Sequence, residues 1–487
     1  MWQPDRYSKK PIYLQIAEHL QRRIRQGEYP PGSLLPSERK LAALLQVNRS
    51  TVIQAYEDLR AQGLVSRAVG SGTRVSQPEP GEAAPAPNWR PYLAGGAMQP
   101  NLAAMRRIRE ALRGERAPID MASGELSDDL FPHELVRRLL RERSYVGHLG
   151  YDDPQGYLPL RESIAAFLRR YHGIDASASS LLVTSGSQQS LFLISQCLLS
   201  PGDAVAVEDP SYSHSLSMFR SAGLRVFGLP VGEEGIDPDD VAALHRQHRL
   251  RMIFLNPNFQ NPTGTVLSDE RRDRLLRLTA ERGIPIVEDD PFSLTAFDGV
   301  PPRPLRALKQ AGGQILYVGS LSKIAASGLR IGWLLGPQSV IARLADARQQ
   351  MDFGMSVLPQ WVASELLDAS HFDGHLARLR RKLAYKMDSM RAALDTVLPG
   401  RISYRVPNGG LNLWVQWHGA GDPDEPRLLE RALREGVAYV PGAVLGSRPG
   451  CFRLSFAKPP IEQIEEGILR LRRAWTEGRD EERPFPS

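Results

Sequence analysis

Residues 318–333 read VGSLSKIAASGLRIGW and place one lysine, Lys323, among small residues directly after an apolar run. Arg330 follows in the same stretch. A lysine side chain at the end of a strand extends either into solvent or into a cleft, and solvent is the commoner environment. The residues that surround Lys323 in the fold decide between the two, so the rest of the chain has to be considered.

Short apolar runs alternate with helical stretches after about residue 118. This alternation predicts a mainly parallel, doubly wound sheet. Between about residues 340 and 475, long helical patterns precede GGLNLWVQW and CFRLSFA, which predicts a smaller α/β domain. The apolar runs are LLVT from 181, AVAV from 204, MIFLN from 252, PIVED from 285, ILYVG from 315 and GWLLG from 332.

Polar residues follow these runs, and ligands of open α/β sheets bind beyond the carboxyl ends of the strands. Each residue alone is weak evidence, because such turns and lone lysines are common without a ligand. Together they supply a turn for a phosphate, an aromatic ring, a carboxylate and an amine, which are the parts that hold pyridoxal 5'-phosphate (PLP) as a Schiff base. We therefore expect Lys323 to be that amine. The residues are Ser185, Gly186, Ser187, Gln188, Tyr212, Asn261, Asp289, Asp290, Ser320, Ser322, Lys323 and Arg330.

The first 76 residues show a different pattern. An amphipathic stretch from Ile12 ends at Gly27, Ser37 is a candidate N-cap of a second helix, and a third helix begins at Asn48 and ends at Gly63. LVSRAVGSGTRVS then predicts two short strands around a glycine turn. Helix, helix-turn-helix and β-wing together predict a winged-helix DNA-binding domain.

Charge is concentrated in this first segment. Residues 1–76 carry 12 Lys and Arg against 6 Asp and Glu, a net charge of +6, and the whole chain is also +6. The remaining residues therefore balance at 49 against 49 (61 minus 12 and 55 minus 6). A basic module joined to a neutral body is typical of nucleic-acid binding, although a merely solvated basic surface is an alternative.

Length and composition favour an ordinary globular protein of several domains, with 487 residues of which 42% are hydrophobic. No apolar run approaches the ~20 residues of a membrane span, and no secretion signal is apparent at the N-terminus. Two cysteines predict neither a disulfide framework nor a metal site. We expect a cytoplasmic protein without a membrane partner.

The motifs resemble two known families. Residues 118–475, with YDDPQGYLPLR, NPTG, EDD, SLSK, LR and RLSF in order, are similar to fold-type I PLP-dependent aminotransferases. LPSERKLA and RSTVIQAYEDL resemble the GntR winged-helix regulators. Joined through a Pro/Ala/Gly-rich linker, the two resemble the MocR subfamily of GntR regulators. The implied organisation is a winged helix at 1–76, a linker at 77–117, a PLP-binding domain at 118–475 with a small subdomain at about 340–475, and a tail at 476–487.

The resemblance implies a role for each residue of the PLP site. Lys323 would form the Schiff base, Asp289 rather than Asp290 would pair with the pyridine nitrogen, Asn261 would contact the ring hydroxyl and Tyr212 would stack on the ring. Arg453 would bind the carboxylate of a substrate or effector, with a plain surface ion pair as the alternative. The phosphate would be held by Ser187, Gln188, Ser320 and Arg330, with Tyr151 reaching across from a second subunit of a head-to-tail homodimer.

The resemblance also implies the DNA contacts. Arg39, together with the start of the recognition helix at Arg49, Ser50 and Thr51, would face the DNA. The wing tip at Gly70 and Ser71 would meet the neighbouring groove or backbone. A salt bridge of Arg39 with Glu38 or Asp58 is the alternative for that arginine.

Two positions depart from the aminotransferase pattern. Phe292 stands three residues after Asp289, where a tyrosine is usual, and the proline common two residues before Gly-Leu-Arg is absent, since Ala326 and Ser327 precede Gly328. Phenylalanine removes a hydrogen-bond donor from the ring oxygen of the cofactor. We therefore expect transaminase activity to be weak or absent, unless a neighbouring polar group compensates.

These observations predict a PLP-dependent transcription regulator that binds operator DNA. Its aminotransferase-like domain would sense PLP, an amino compound, or both. One alternative is an active PLP-dependent aminotransferase with an accessory DNA-binding domain. Another is a sensor of PLP that has no amino-acid effector.

Overall fold

The computed structural model describes residues 2–6, 8, 10–68, 72–76, 96–418, 424–447 and 449–476. The chain divides into two compact units, residues 1–97 and residues 98–487. The predicted wing tip at Gly70 and Ser71 lies outside the described residues, as do residues 77–95 of the predicted linker and residues 477–487 of the predicted tail.

The first unit is a winged helix. Its three helices are Ile12–Arg25, Glu38–Leu45 and Arg49–Ala61, and the antiparallel strands Val65–Ala68 and Gly72–Val75 follow. Ser37 caps the second helix as predicted, because its hydroxyl accepts a hydrogen bond from the Lys40 backbone N–H at 3.3 Å. Apolar residues from all three helices and both strands form one core; they include Ile16, Leu20, Leu41, Val52, Leu59, Val65 and Val75.

The second unit is built on a large sheet of eight strands in the described part of the chain. Its five central neighbours, from Ile315–Ser320 to Arg225–Gly232, run parallel, whereas Gly332–Leu335 is antiparallel to both of its neighbours. All six predicted runs form strands, which confirms the mainly parallel sheet. The order across the sheet is Leu181–Thr184, Gly332–Leu335, Ile315–Ser320, Ile286–Asp289, Met252–Leu255, Ala204–Asp209, Arg225–Gly232 and Gly235–Ile236.

Helices cover both faces of the large sheet, as expected when strands are buried on both sides. Four neighbouring strands, Met252–Leu255, Ile286–Asp289, Ile315–Ser320 and Gly332–Leu335, are buried along their whole length. The helices of the second unit, apart from short 3-10 turns, are Ala103–Leu112, His133–Glu142, Leu158–His172, Ser187–Cys197, Met218–Ser221, Pro238–His248, Asp269–Arg282, Gln338–Gln349, Val357–Asp368, Phe372–Val397, Glu425–Glu435 and Ile464–Thr476.

A second, antiparallel sheet forms the smaller subdomain. Its strands are ordered Ile402–Tyr404, Asn412–Trp417, Cys451–Ser455 and Val440–Pro441. The short strand Ile119–Asp120 pairs in parallel with Val437–Ala438. The segment that follows Asp120 is thereby fixed beside the strand that carries Arg453.

Part of the predicted linker is folded. Residues 103–112 form a helix whose Ile108 is buried, and Arg107 Nε lies 2.7 Å from the carboxylate of Glu430. The linker prediction rested on proline, alanine and glycine, which are frequent only up to about residue 100. Residues 105–112 read MRRIREAL and form an amphipathic helix. Residues 103–112 therefore belong to the second unit.

The described residues show neither a membrane-spanning helix nor a metal-binding cluster. In these ranges, no helix has both the length and the apolar character needed to cross a membrane. The same ranges contain no group of three or more His, Cys, Asp or Glu side chains arranged to hold a metal ion.

Candidate functional site

Lys323 lies at the carboxyl edge of the large sheet. The strand Ile315–Ser320 ends there, and a short 3-10 turn, Leu321–Lys323, turns the lysine toward the segment that precedes the helix His133–Glu142. Its Nζ donates a hydrogen bond to the carbonyl oxygen of Gly124. Burial lowers the pKa of the Lys323 amine to about 8, and the nearby Glu125 carboxylate opposes this shift. A partly buried amine with a lowered pKa suits a nucleophile better than a surface lysine.

Asp289 ends the neighbouring parallel strand, and its register partner is Val318. The Tyr212 hydroxyl donates to Asp289 Oδ2, whereas Asp289 Oδ1 is buried and has no hydrogen-bond partner among the described residues. Burial raises the pKa of Asp289 to about 7; the Tyr212 bond lowers it and the Asp290 carboxylate raises it further. An orphan carboxylate oxygen is costly unless a ligand donates to it.

Asp290 has a different environment. Its Oδ2 accepts a hydrogen bond from the Tyr317 hydroxyl at 3.1 Å, and its Oδ1 accepts one from the Ser293 backbone N–H at 3.2 Å. Both oxygens are therefore used within the protein. The free oxygen distinguishes Asp289 from Asp290, which the sequence alone could not do.

A buried amide network positions Asn261. Asn256 donates from Nδ2 to the Asp289 carbonyl oxygen at 2.7 Å and accepts from the Asn261 backbone N–H at 2.8 Å. Glu208 accepts a hydrogen bond from the Asn256 backbone N–H at 2.8 Å, and burial raises the pKa of Glu208 to about 7. The Asn261 carbonyl oxygen in turn accepts from the Tyr212 backbone N–H at 3.0 Å. Asp289, Asn261 and Tyr212 thus share one rigid framework.

Arg453 approaches the same site from the small sheet. Its Nη1 donates to Asn261 Oδ1 at 3.0 Å and its Nη2 donates to the Ala122 carbonyl oxygen. Its Nε is buried without a hydrogen-bond partner among the described residues. Burial lowers the pKa of Arg453 to about 10. Arg453 is 7% exposed, which excludes the surface ion pair considered as its alternative.

The predicted phosphate residues meet at one helix N-terminus. Gly186 has φ +87° and precedes the helix Ser187–Cys197, so the first backbone N–H groups of that helix point to the turn. Arg330, itself in the left-handed region at φ +56°, donates from Nη2 to the Ser185 carbonyl oxygen at 2.8 Å. A Cβ at Gly186 would lie 2.7 Å from Arg330 Nη2, so that side chain would have to shift, and the backbone at φ +87° is one that residues with a side chain rarely adopt.

The remaining residues of this set lie around the turn in different ways. The Ser320 hydroxyl is buried and bonds to Ser322 Oγ at 3.0 Å. Ser187 is half-buried and Gln188 is exposed, and both belong to the first turn of the helix. Tyr151 differs from the buried members of this set, because 81% of its surface is exposed to solvent.

In the winged helix, the predicted DNA-binding residues lie on the surface. Arg39, Arg49 and Ser50 are exposed and Thr51 is half-buried. Glu38 binds Arg49, with Arg49 Nη2 at 2.7 Å and Nε at 3.2 Å from Glu38 Oε2, and it also lies 3.8 Å from Arg67 of the wing strand. The alternative in which Glu38 pairs with Arg39 is therefore wrong: Glu38 pairs with Arg49.

Sequence reasoning missed several groups of the PLP site. Asn256 and Glu208 were not identified, although Asn256 ends a quoted apolar run just before the Asn-Pro-Thr-Gly turn. The carbonyl oxygens of Ala122 and Gly124 carry no signal in the sequence, because every residue has one. Glu125, which contacts the turn that follows Lys323, was also missed.

Comparison with known proteins identifies the families that the two units resemble. Residues 116–471 match the family described as aminotransferase class I and II, and residues 12–75 match the gntR family of bacterial regulatory proteins. The chain is 36% identical over 467 residues to the uncharacterized HTH-type transcriptional regulator YdfD of Bacillus subtilis, covering 95% of this chain and 96% of YdfD. It is 30% identical to the HTH-type transcriptional regulator NorG of Staphylococcus aureus, covering 90% of this chain and 98% of NorG.

Solved structures are similar to the second unit. Kynurenine aminotransferase of Pyrococcus horikoshii in complex with PMP superposes with a TM-score of 0.72 at 30% identity, covering 79% of this chain and 96% of that protein. The α-aminoadipate aminotransferase LysN of Thermus thermophilus, complexed with N-(5'-phosphopyridoxyl)-L-leucine, gives 0.70 at 34% identity, covering 78% and 96%. The chain belongs to the MocR subfamily of GntR regulators.

A MocR regulator combines DNA binding with PLP binding, and PLP is the cofactor of the second unit. The described residues fit this cofactor. Asp289 Oδ1 has no partner among the described residues and could accept a hydrogen bond from a pyridinium N–H. Lys323 provides an amine for the aldehyde. At the Gly186 turn, the helix N-terminus and Arg330 provide N–H donors for a phosphate.

Proposed function

We propose that this regulator changes its affinity for operator DNA when an amino compound with a carboxylate reaches PLP at Lys323. The observation that carries the proposal is Arg453, a buried guanidinium whose Nε has no partner among the described residues and which shares a framework with Asn261. A buried, partly unpaired guanidinium is costly unless a ligand anion completes its bonds. A carboxylate is the anion that a planar two-pronged donor binds best.

Each residue then has a defined task. Lys323 holds the cofactor and yields it to the effector amine, and Asp289 accepts the hydrogen bond of the pyridine nitrogen. Asn261 donates to the ring hydroxyl, and Tyr212 covers the ring and orients Asp289 through its hydroxyl. The phosphate is bound at the helix N-terminus by Ser187, Gln188, Ser320 and Arg330. When bound, PLP supplies an aldehyde that condenses with amines and a ring that withdraws electrons.

Phe292 favours sensing over turnover. It is 3% exposed and packs in the main apolar core of the second unit, so it fills space without offering a donor. Because no donor stands at this position, we expect turnover to be slow. Steady-state turnover with an amino donor and a keto acceptor measures this, and a rate near the ~10 s⁻¹ median of enzymes would favour the second candidate, an aminotransferase with an accessory DNA-binding domain. The nearly complete aminotransferase site is the observation behind that candidate.

The functional form is a head-to-tail homodimer. The support is an exposed apolar surface, which we call the Tyr151 patch, made of Val146, Leu149, Tyr151, Met351 and Phe353. The Tyr151 and Phe353 rings lie 5.6 Å apart, so the two exposed segments that carry these residues meet there. A contiguous apolar patch on a soluble protein indicates an interface. In the dimer, Tyr151 reaches the PLP phosphate of the partner subunit.

Operator binding uses the exposed face of the winged helix. Arg49, Ser50 and Thr51 begin the recognition helix, whose N-terminal residues contact bases or phosphates in such domains. Arg39 is on the preceding helix, Glu38–Leu45, and Gly70 and Ser71, which lie outside the described residues, stay predicted DNA contacts from the sequence. The support is that Arg39, Arg49 and Ser50 are all exposed.

The test uses DNA that the full-length protein binds in its native cell. Operator affinity is measured for the apo protein, the PLP-loaded protein, and the loaded protein with each amino acid in turn. We expect a change on adding an amino acid and a smaller one, or none, on adding PLP alone. If PLP alone changes the operator affinity and no amino acid changes it further, the protein is a PLP sensor. If neither PLP nor any amino acid changes the operator affinity, the proposal is contradicted.

A further inference from the structure

Glu125 forms a small charged cluster beside the lysine. One of its carboxylate oxygens accepts a hydrogen bond from the Ser327 hydroxyl, and the other accepts one from Lys458 Nζ at 2.8 Å. Glu125 is close enough to Lys323 to affect its pKa. The side chains of Glu125 and Lys458 are 39% and 29% exposed, so the cluster stands where the site opens to solvent. We call these three side chains the Glu125 cluster.

The backbone before Glu125 runs alongside the proposed effector position. The Ala122 carbonyl oxygen accepts from Arg453 Nη2, and the Gly124 carbonyl oxygen accepts from Lys323 Nζ. A compound with its carboxylate on Arg453 and its amine at Lys323 therefore lies along residues 122–124. A Cβ built on Gly124 meets no heavy atom within 4 Å, which leaves open space on this path. Glu125 is the next residue along this backbone, so a side chain that branches from the Cα of such a compound and extends past Gly124 would approach the Glu125 carboxylate.

The two charges of the cluster are not equally free to move. Glu125 is held by Ser327, which belongs to the turn between Lys323 and Arg330 and which stands in the short segment that departs from the aminotransferase pattern. Lys458 has a flexible stem, and its one ion pair within the described ranges is with Glu125. Glu125 is thus the fixed charge and Lys458 the replaceable one.

This asymmetry decides the sign of the group that would bind. An incoming cation exchanges with the Lys458 ammonium on the fixed carboxylate, and the lysine swings into water at little cost. An incoming anion would remain beside the Glu125 carboxylate, and the attraction of Lys458 would be offset by that repulsion. Burial raises the pKa of Glu125, but the interactions with Lys458 and Ser327 lower it by more. The Glu125 carboxyl is therefore charged at neutral pH.

We propose that Glu125 is a specificity-determining residue that receives a second cationic group of the effector, so that the effector is a basic amino acid. The inference rests on the proposed function, in which the effector carboxylate binds Arg453 and its amine reaches Lys323. Lys458 occupies the position of the second cation when no effector is present.

The test is a titration of the PLP-loaded full-length protein, followed by the absorbance of the cofactor. L-ornithine and L-lysine are compared with L-norvaline and L-norleucine, which have the same chain lengths without the second amine, and with L-glutamate. We expect the basic amino acids to bind about fivefold more tightly, the size of a partly exposed ion pair. The ratio of two affinities on one variant is insensitive to small losses of folded protein.

Two substitutions give opposite results. Glu125→Gln keeps the size and the Ser327 bond but removes the charge, and it lowers the preference for basic amino acids to about equality. Lys458→Met removes the competing ammonium and increases the affinity for L-ornithine about fivefold. Glu134→Gln is the matched control, because Glu134 is an exposed glutamate paired with Arg137 on a surface helix, and it leaves the ratio unchanged.

The outcomes separate this inference from the proposed function. An unchanged preference in Glu125→Gln, or tighter binding of L-norvaline than of L-ornithine, overturns the basic-effector assignment and leaves the proposed function standing. So does a Lys458→Met variant that loses affinity for L-glutamate without gaining it for L-ornithine. If no amino acid changes the absorbance while PLP stays bound, both the inference and the proposed function fail.

Discussion

Two arginines of this regulator show how differently its two units present charge. Arg49 begins the recognition helix with 52% of its side chain exposed and is paired with Glu38, whereas Arg453 is 7% exposed and keeps a donor without a partner among the described residues. Arg49 can exchange Glu38 for a phosphate or a base in water. The guanidinium of Arg453 is already buried, so an anion that binds it would have to match the fixed geometry of its donors. The affinity of an exposed arginine for an anion falls as salt rises, whereas that of a buried arginine depends mainly on how well the anion fits its donors.

The largest effect is expected at the lysine of the buried site. Lys323→Ala removes the amine that we propose as the Schiff-base partner of PLP, so we expect borohydride reduction of the cofactor-loaded protein to leave no covalent label. The measurement is peptide mass after reduction. Lys309→Ala, at an exposed lysine, is the control and retains the label. A label on another lysine of the unsubstituted protein would contradict the assignment of Lys323.

Arg453 tests the buried side of the comparison most directly. Arg453→Met removes both prongs from a desolvated carboxylate site, and we expect amino-acid affinity to fall about 100-fold, as for other buried charge pairs. Arg453→Lys keeps the charge and loses the fork, so it should recover only part of the loss. The measurement is the absorbance titration at low and high salt. A strong salt dependence would show that the site is less buried than the structure indicates.

Arg49 tests the exposed side. Arg49→Ala should cost ~1–3 kcal/mol of operator affinity if the side chain forks onto a base. It should also reduce the slope of log affinity against log salt, because one fewer counterion is displaced. The measurement is operator binding at several fixed salt concentrations. Arg60→Ala, at the opposite end of the same helix, is the control, and equal losses for the two variants would refute the special role of Arg49.

The smallest effect is a pH dependence. Since the pKa of Lys323 is about 8, its neutral, nucleophilic fraction rises from about one tenth at pH 7 to about nine tenths at pH 9, and PLP incorporation into the apo protein should accelerate about tenfold and then level off. Free Nα-acetyllysine, with an ordinary pKa of ~10.4, should accelerate about 100-fold over the same range without a plateau. The two profiles coinciding would mean that Lys323 is fully solvated.

The sequence predicted the fold because its signals were repetitive. Apolar runs such as those at Leu181 and Ile315 became buried strands, and Ser37 capped a helix through a hydroxyl that can accept a backbone bond. The antiparallel direction of Gly332–Leu335 had no signal, because a short buried strand looks the same in either direction. The helix Ala103–Leu112 was missed because a linker was extended past its last proline.

The candidate site was predictable where chemistry depends on side chains. Asn261 and Lys323 follow strands of the large sheet, and their positions after strand ends implied a common edge. Arg453 was predicted from the resemblance alone, and it reaches Asn261 from the middle of the small-sheet strand Cys451–Ser455. Partner choice was not predictable: Glu38 selects Arg49 rather than the adjacent Arg39, because residues next to each other on a helix do not face each other. The roles of the residues in binding stay predictions until the experiments above are done.

The exposed Tyr151 patch has a consequence for the cell. If Tyr151 completes the cofactor site of a partner subunit, a complete sensor exists only where two chains meet, and the dimer forms by mass action. Cofactor occupancy would then fall on dilution, and the response threshold would depend on the number of copies of the regulator per cell. A promoter that doubled the amount of this protein would change its sensitivity as well as its abundance, so gene dosage becomes part of the signal.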